Sequence, residues 1–529
     1  MKKGKESAPP DSLLVIKMLE RLNSPVKAES AARHIAELLA AHGEWLYVES
    51  ETRSSALRRS ECDARIIHGR LIFSCWSDAG ARSWRVTSWE WTGEKLLLEA
   101  TRRMGAESCK LELIPRASAS VPLTEIGATR KERCLQLAQL ACAQLTSAKI
   151  ERAGLSAGAR RGQPGRYARI LLRHGNKRIA VTGPVTHADA RDRDAFLSSS
   201  LLWFARTRER ASGAVIQQLW LIVTPELIEP MARQLALLRD DLRRSIKLYE
   251  IDDGWQTITL ARTLERAQLW TEAPPRFRPS AKDTKPSDWA RRLLELAPDA
   301  IDLVRARNGE TLRFHGLAFA RVRRLMNTER AWLGIEGERR RLLDESNWSE
   351  CVELVKELSK HRSASATDHR HAFYKSAPEA WLESLLRRDI TRLDPGLRIA
   401  PLHAQFRTSH DARAATRPVD LLALRQDGRL VVIELKVTED REHVLQGADY
   451  WRRIEIYRRA GHINRARLFG EAVIADEPPL VYLVAPLLRF HRSFQTLAHS
   501  IAPEIEIYRF DINEDWRAGV CTVRRERVT

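Results

Sequence analysis

The chain has 529 residues, carries 88 Lys and Arg against 69 Asp and Glu, and has a formal charge of +19 with a pI near 9.9. That length fits three or four domains, and an apolar content of 43% excludes a wholly disordered chain. No run of about 18 apolar residues is present, which excludes an ordinary membrane-spanning helix.

The N-terminus, MKKGKESAPPDSLLVIKML, begins like a signal peptide. Lys17 interrupts its apolar run and no small-residue cleavage site follows, so the sequence reads as cytoplasmic. Seven cysteines (Cys62, Cys75, Cys109, Cys134, Cys142, Cys351 and Cys521) are odd in number and scattered, with no CxxC pair. They suggest reduced thiols rather than a zinc site or a disulfide framework. The charge points to a polyanionic partner, nucleic acid first, and the lack of an apolar span to no membrane. The bases divide into 17 Lys and 71 Arg. Between residues 376 and 529 there are 23 Arg and a single lysine, Lys436.

Residues 11–43 are expected to form two helices, the second opening at Ser30 and closing at Gly43, within an N-terminal helical segment, 1–43. Short apolar runs alternate with turn residues across 44–117 and predict an antiparallel β meander. Residues 118–150 read as a helical connector, and ERAGLSAGARRGQPGR as a Gly/Arg-rich linker. Strand and helix patterns then alternate through 151–271. A Pro-rich linker at 272–287 precedes a small α/β segment, 288–362, and a polar linker at 361–370 leads into a last α/β unit, 371–529.

The central and last units match in order. LWLIVTP (219–225) parallels VYLVAP (481–486), IKLYEIDDGW (246–255) parallels IEIYRFDINEDW (505–516), and LLRHGNKRIAVTG (171–183) parallels ALRQDGRLVVIELK (423–436). We read two copies of one α/β module. The expected fold is therefore a multidomain α/β chain with mixed sheets in both copies and an N-terminal β meander with helices.

In the last copy, VDLLAL and RLVVIELKV are nearly continuous apolar strands interrupted by Asp420, Glu434 and Lys436. Glu434 and Lys436 are two apart and share one strand face. Charges in such a strand are costly unless paired or metal-bound. A two-residue Asp427-Gly428 turn would put Asp420 on the opposite face. A three-residue loop, Gln426-Asp427-Gly428, pairs Asp420 with Glu434 and puts Gly where a left-handed residue is needed. Two converging carboxylates suit Mg²⁺ or Mn²⁺, and the ammonium beside them can orient or help deprotonate a water. Gln446 and Tyr450 lie one turn apart on the next predicted helix; Glu379 and Glu383 share a face of the helix before. Basic runs at 159–169 and 457–467 offer Arg160, Arg161, Arg166, Arg458, Arg459 and Arg465 as phosphate contacts.

This ordered set resembles the PD-(D/E)XK nuclease superfamily, closest to its RecB-type and NucS-like branches. It covers 371–460 in motifs and 371–529 in topology. The resemblance implies a restriction-endonuclease-like domain whose metal ligands are Asp420 and Glu434, with Glu383 or Glu379 auxiliary. Lys436 is then the catalytic lysine, and Gln446 and Tyr450 are positioning residues. Pro418, one residue further back than usual, replaces the Pro that directly precedes the Asp. Aligned on the repeat, Ala168 stands at Asp420, Thr182 at Glu434 and Pro184 at Lys436, so the central copy is expected to be a degenerate nuclease-like module. The function expected is Mg²⁺-dependent hydrolysis of DNA, in preference to RNA, by one centre per chain, with a homodimer as one route to double-strand cleavage. The alternative is a catalytically silent nucleic-acid-binding or complex-assembly protein that keeps the fold.

Overall fold

The computed structural model describes residues 20–529 except 23, 51–52, 68–69, 78–79, 103–106, 117–119, 159–163, 187–191, 211–214, 272–273, 275–284, 307–308, 326–327, 336–340 and 407–417. The helix expected to begin at residue 11 falls largely outside these. The chain forms two compact units, residues 1–132 with 157–164, and residues 133–156 with 165–529.

In the first unit, α1 (Pro25–Ala41) opens at Ser24, not at Ser30: the Ser24 hydroxyl accepts the Lys27 N–H at 3.3 Å and Pro25 supplies a preset φ at the first helical position. The segment before it is a short strand, β1 (Glu20–Arg21), where a helix was expected. Ala28, Ala31, Ala32, Ile35 and Leu39 form the buried stripe of α1. That stripe packs on β4 (Cys62–Ile67) and β5 (Arg70–Ser77). These strands belong to an antiparallel sheet with β2 (Glu44–Ser50), β3 (Arg53–Arg58), β6 (Gly80–Trp91), β7 (Leu96–Arg102) and β8 (Glu107–Pro115), ordered β3-β2-β8-β7-β6-β5-β4 with β1 on β6. Trp84 is buried in its core and Trp89 and Trp91 pack against it, so these tryptophans are spent on packing.

Helix α2 (Ser120–Ala143) leads into the central module. Its six strands are β9 (Lys149–Ala157), β10 (Pro164–His174), β11 (Lys177–Pro184), β12 (Val215–Val223), β13 (Ile246–Ile251) and β14 (Ile258–Leu260), in the order β14-β13-β12-β11-β10-β9. β9 occupies half of the stretch expected to be linker; its mostly exposed edge position explains why no apolar run marked it. Helix α3 (Arg193–Glu209) joins β11 to β12, and α4 (Pro225–Leu235) and α5 (Asp240–Arg244) join β12 to β13.

The segment at 288–362 is a five-stranded antiparallel sheet, β15 (Ile301–Ala306), β16 (Gly309–Phe314), β17 (Leu317–Leu325), β18 (Thr328–Leu333) and β19 (Arg341–Leu343), in sequential order, with α6 (Asp288–Glu295) and α7 (Trp348–His361). The polar stretch after it is not a loose linker. Arg362 is fully buried and donates to the carbonyls of Phe314, His315, Phe373, Ser376 and Ala377, Phe373 lying in α8 (Ala372–Lys375) and the last two directly after it.

The last module has α9 (Pro378–Arg388), β20 (His403–Phe406), β21 (Val419–Leu424), β22 (Leu430–Leu435), α10 (His443–Arg459), α11 (His462–Arg465), β23 (Leu480–Pro486), α12 (Phe494–Ala498), β24 (Ile507–Ile512) and β25 (Thr522–Arg527). Its sheet runs β20-β21-β22-β23-β24-β25. β21–β22 and β24–β25 are antiparallel and β22–β23 and β23–β24 parallel, the same senses as β10–β11, β13–β14, β11–β12 and β12–β13.

The two modules pack through corresponding surfaces. α3 lies on α10 and α12, and one buried apolar cluster takes residues from both. Beside it, Leu238 and Ile501 form an antiparallel bridge; Arg239 N–H donates to the Ser500 carbonyl and Ala502 N–H to the Leu237 carbonyl, both at 2.9 Å. Like segments pairing antiparallel is the signature of a two-fold interface, here inside one chain.

Candidate functional site

The loop between β21 and β22 fixes the site. Arg425 N–H donates to the Arg429 carbonyl at 2.9 Å, leaving a three-residue loop, 426–428, with Gly428 at φ +86°. A side chain at 428 would also meet the Val473 carbonyl at 2.6 Å, so both backbone and space require glycine. The resulting register pairs Leu421 with Ile433, and the next pair outward is Asp420 with Glu434.

The two carboxyl groups are in hydrogen-bond contact. Burial, then repulsion from Glu434, holds Asp420 well above the usual carboxylate range. Asp420 Oδ2 also accepts the Leu435 N–H at 2.9 Å. Lys436 Nζ donates to Glu434 Oε1 at 2.7 Å and lies 3.7 Å from Asp440 Oδ2. Burial alone would lower the pKa of this lysine; Glu434, Glu379, Asp420 and Asp440 outweigh it, and the net shift is upward. Lys436 is therefore a firm cation that can orient a water and cannot act as a base in this state. Glu434 Oε2 is buried and has no donor among the described residues.

The flanking helices place the other expected residues unequally. Glu379, exposed in the first turn of α9, contributes to the field at Lys436. Glu383 is buried and faces Arg313 Nη1 of β16 at 3.5 Å. Gln446 is buried on α10, with Nε2 donating to Glu442 Oε2 at 3.2 Å and Oε1 without a donor among the described residues. Tyr450 is buried one turn on, its ring covered by the Arg453 guanidinium. Arg160 and Arg161 lie outside the described residues, and Arg166 is half-buried. Arg458 and Arg459 are both held by Glu455, at 2.7 and 2.6 Å, and Arg465 donates to the Ala460 carbonyl at 2.6 Å.

Two residues join the site that the sequence did not single out. Asp440 sits four residues after Lys436, a spacing that could have suggested it. His443 is buried, its Nε2 3.2 Å from the Glu434 carbonyl, to which it donates, and its ring stacks on Phe490. Burial, with Lys436 nearby, pushes this imidazole down to about 4, so it is neutral. Nothing local in the sequence marks it.

An oxygen-seeking dication that keeps several waters suits a pair of carboxylates with one orphaned oxygen. Among the described residues no group of three or more His, Cys, Asp or Glu is arranged to hold a metal. Asp420 and Glu434 would form a two-carboxylate set for such a cation, with Glu379 and Glu383 on the helix before them.

The central module carries a different set. Arg169 pairs with Thr182 across β10 and β11, and Thr182 is level with Leu221 as Glu434 is with Leu483. Leu221 and Leu483 share one core, so the faces correspond too. The counterpart of Asp420 is therefore Arg169. Ala168, where the sequence alignment put it, is one residue out of register and buried on the opposite face, against α2. Thr182 and Pro184 keep the positions expected of them.

Compared with family models, curated proteins and solved structures, the chain matches none. No helix among the described residues is long and apolar enough to cross a membrane.

Proposed function

We propose that the chain hydrolyses phosphodiester bonds of DNA, as an endonuclease, at a single Asp420–Glu434–Lys436 centre that takes Mg²⁺ or Mn²⁺. On this reading 371–529 is a PD-(D/E)XK-type domain and the central module its silent counterpart. The observation that carries the reading is the contact of two carboxyl groups in a buried strand pair, with Lys436 Nζ 2.7 Å from Glu434 and a Glu434 oxygen left without a donor. A strand pair stabilised only for folding gains little from such a group, because uncompensated burial of charge costs several kcal/mol.

Bound there, the metal would supply Lewis-acid polarisation of a phosphoryl oxygen. Asp420 and Glu434 would hold it, Asp420 as the carboxylate. Lys436 Nζ orients the attacking water and, staying protonated, offsets charge on the phosphate. His443 fixes the Glu434 peptide by donating to its carbonyl. Asp440 steadies the ammonium from the other side.

The test is supercoiled plasmid with Mg²⁺, wild type beside Asp420→Ala and Lys436→Ala. Nicked circles are expected from the wild type, and at least about 100-fold less product from each variant. Equal degradation by all three would mean a contaminant and would end the catalytic claim. The second reading, a silent nucleic-acid-binding protein, is favoured by the engagement of Glu383 with Arg313 and by the lack, among the described residues, of three acids arranged to hold a metal; binding without cleavage would select it.

A further inference from the structure

Arg169 occupies the register position that Asp420 holds in the other module, and its surroundings are those of an anion site. Its Nη2 lies 3.4 Å from Ser199 Oγ and its guanidinium 5.8 Å from the Trp203 ring, both on α3. Arg206, also on α3, and Arg441, in the turn between Lys436 and α10, both press their charge on it. The same two, with Arg492, also act on His491. Arg206 stands on the face of α3 that Arg169 meets, seven residues beyond Ser199 and three beyond Trp203. Among the described residues none of Arg169, Arg206, Arg441 and Arg492 forms an ion pair. The acids at the margin are Glu439, beside His491, and Asp192 and Glu442, beside Tyr167; Glu442 holds Gln446. Elsewhere in the same modules arginines are neutralised, Arg193 by Asp194 and Asp449, Arg458 by Glu455 and Asp476. Like charges left together in this way are repelled unless an anion sits among them.

We infer that the central module is a phosphate-backbone anchor: Arg169, standing where the other module has a metal-binding acid, joins Arg206 and Arg441 to hold a phosphodiester of the nucleic acid that reaches the Asp420–Glu434 centre. This rests on the reading of that centre as a phosphodiesterase, since Arg441 links the two places, five residues beyond Lys436. A metal-binding position turned into a guanidinium position keeps the strand geometry and reverses the charge, so the silent copy gains a use for its fold. Arginine suits the task because its planar fork takes two phosphate oxygens at once.

The test is binding of a fluorescently labelled duplex oligonucleotide to the full chain in chelator, where no hydrolysis occurs. Arg169→Gln is expected to weaken binding about tenfold. The double variant Arg206→Gln/Arg441→Gln alters only exposed side chains and keeps the test valid if Arg169→Gln fails to fold; it is expected to weaken binding at least as much. The slope of log affinity against log salt should fall by about 0.9 for each phosphate that the protein no longer neutralises. Arg341→Gln, which removes an exposed cation from β19, should leave affinity and slope unchanged. Wild-type affinity and slope in the double variant would overturn the inference, as would an equal loss in Arg341→Gln. Binding by the wild type that the variants lack, with no cleavage in Mg²⁺, would leave the anchor standing and remove the nuclease reading. Cleavage that depends on Asp420 while the double variant binds normally would do the reverse.

Discussion

The raised pKa of Asp420 makes the site sensitive to pH in a direction set by its environment. Burial and Glu434 raise the Asp420 pKa above its unfolded value near 3.9. At this position the folded metal-free chain therefore holds a proton that the unfolded chain has lost. The contribution of this group is fully present below the unfolded pKa and is lost as pH rises through the folded one. A dication competes for the same oxygens, so Mg²⁺ should raise the melting temperature more at alkaline than at acidic pH. Asp420→Asn should stabilise the metal-free protein at alkaline pH and abolish the Mg²⁺ shift; calorimetry with and without chelator measures both. A Mg²⁺ shift that survives in Asp420→Asn would place the cation elsewhere. Lys436→Arg should not restore activity, because a longer planar guanidinium cannot fill the enclosed space of an ammonium 2.7 Å from Glu434 and 3.7 Å from Asp440.

The β21–β22 hairpin is the element on which the site depends, and Gly428 is its pivot. Gly428→Ala must hold φ +86° with a Cβ 2.6 Å from the Val473 carbonyl, so the loop has to move. We expect a loss of about 2 kcal/mol in urea denaturation, with activity falling more than stability because Asp420 and Glu434 lose their register. Arg362 plays a comparable part between the five-stranded sheet and α9. Its five carbonyl partners have no substitute donor if it becomes Met, and a cost of about 3–5 kcal/mol is expected by the same measurement. An unchanged midpoint in Arg362→Met would show that water replaces the guanidinium.

For the whole molecule, the internal two-fold sets both stability and stoichiometry. Asp449 of α10 accepts from Arg193 of α3 at 3.4 Å and from Arg452 at 2.7 Å. Despite burial, these arginines hold its carboxyl well below the usual range, so its contribution is present above pH 4 and lost in acid. Asp449→Ala removes the carboxylate of Arg452 and leaves Arg193 with Asp194 alone, and a loss of about 3–5 kcal/mol is expected. On the proposed reading only one copy carries the acids, so a monomer should nick circular duplex without linearising it. Linear product at strictly monomeric concentrations would contradict the single centre.

Sequence by itself determined the alternation of strands and helices in both modules, the three-residue loop and its glycine, and from these the meeting of Asp420, Glu434 and Lys436. Those follow from period-two patterning and local turn chemistry, which need no distant contact. Edge-strand and helix-start positions such as β9 and Ser24 escaped because their side chains are polar or small. Only the tertiary structure decided that Glu383 faces Arg313, that Arg458 and Arg459 are spent on Glu455, and that His443 lies beneath Glu434. It also moved the counterpart of Asp420 from Ala168 to Arg169. A gapped alignment cannot tell one strand face from the other, whereas cross-strand register and the core each residue joins can, and one residue of register is the difference between an inert methyl and a guanidinium.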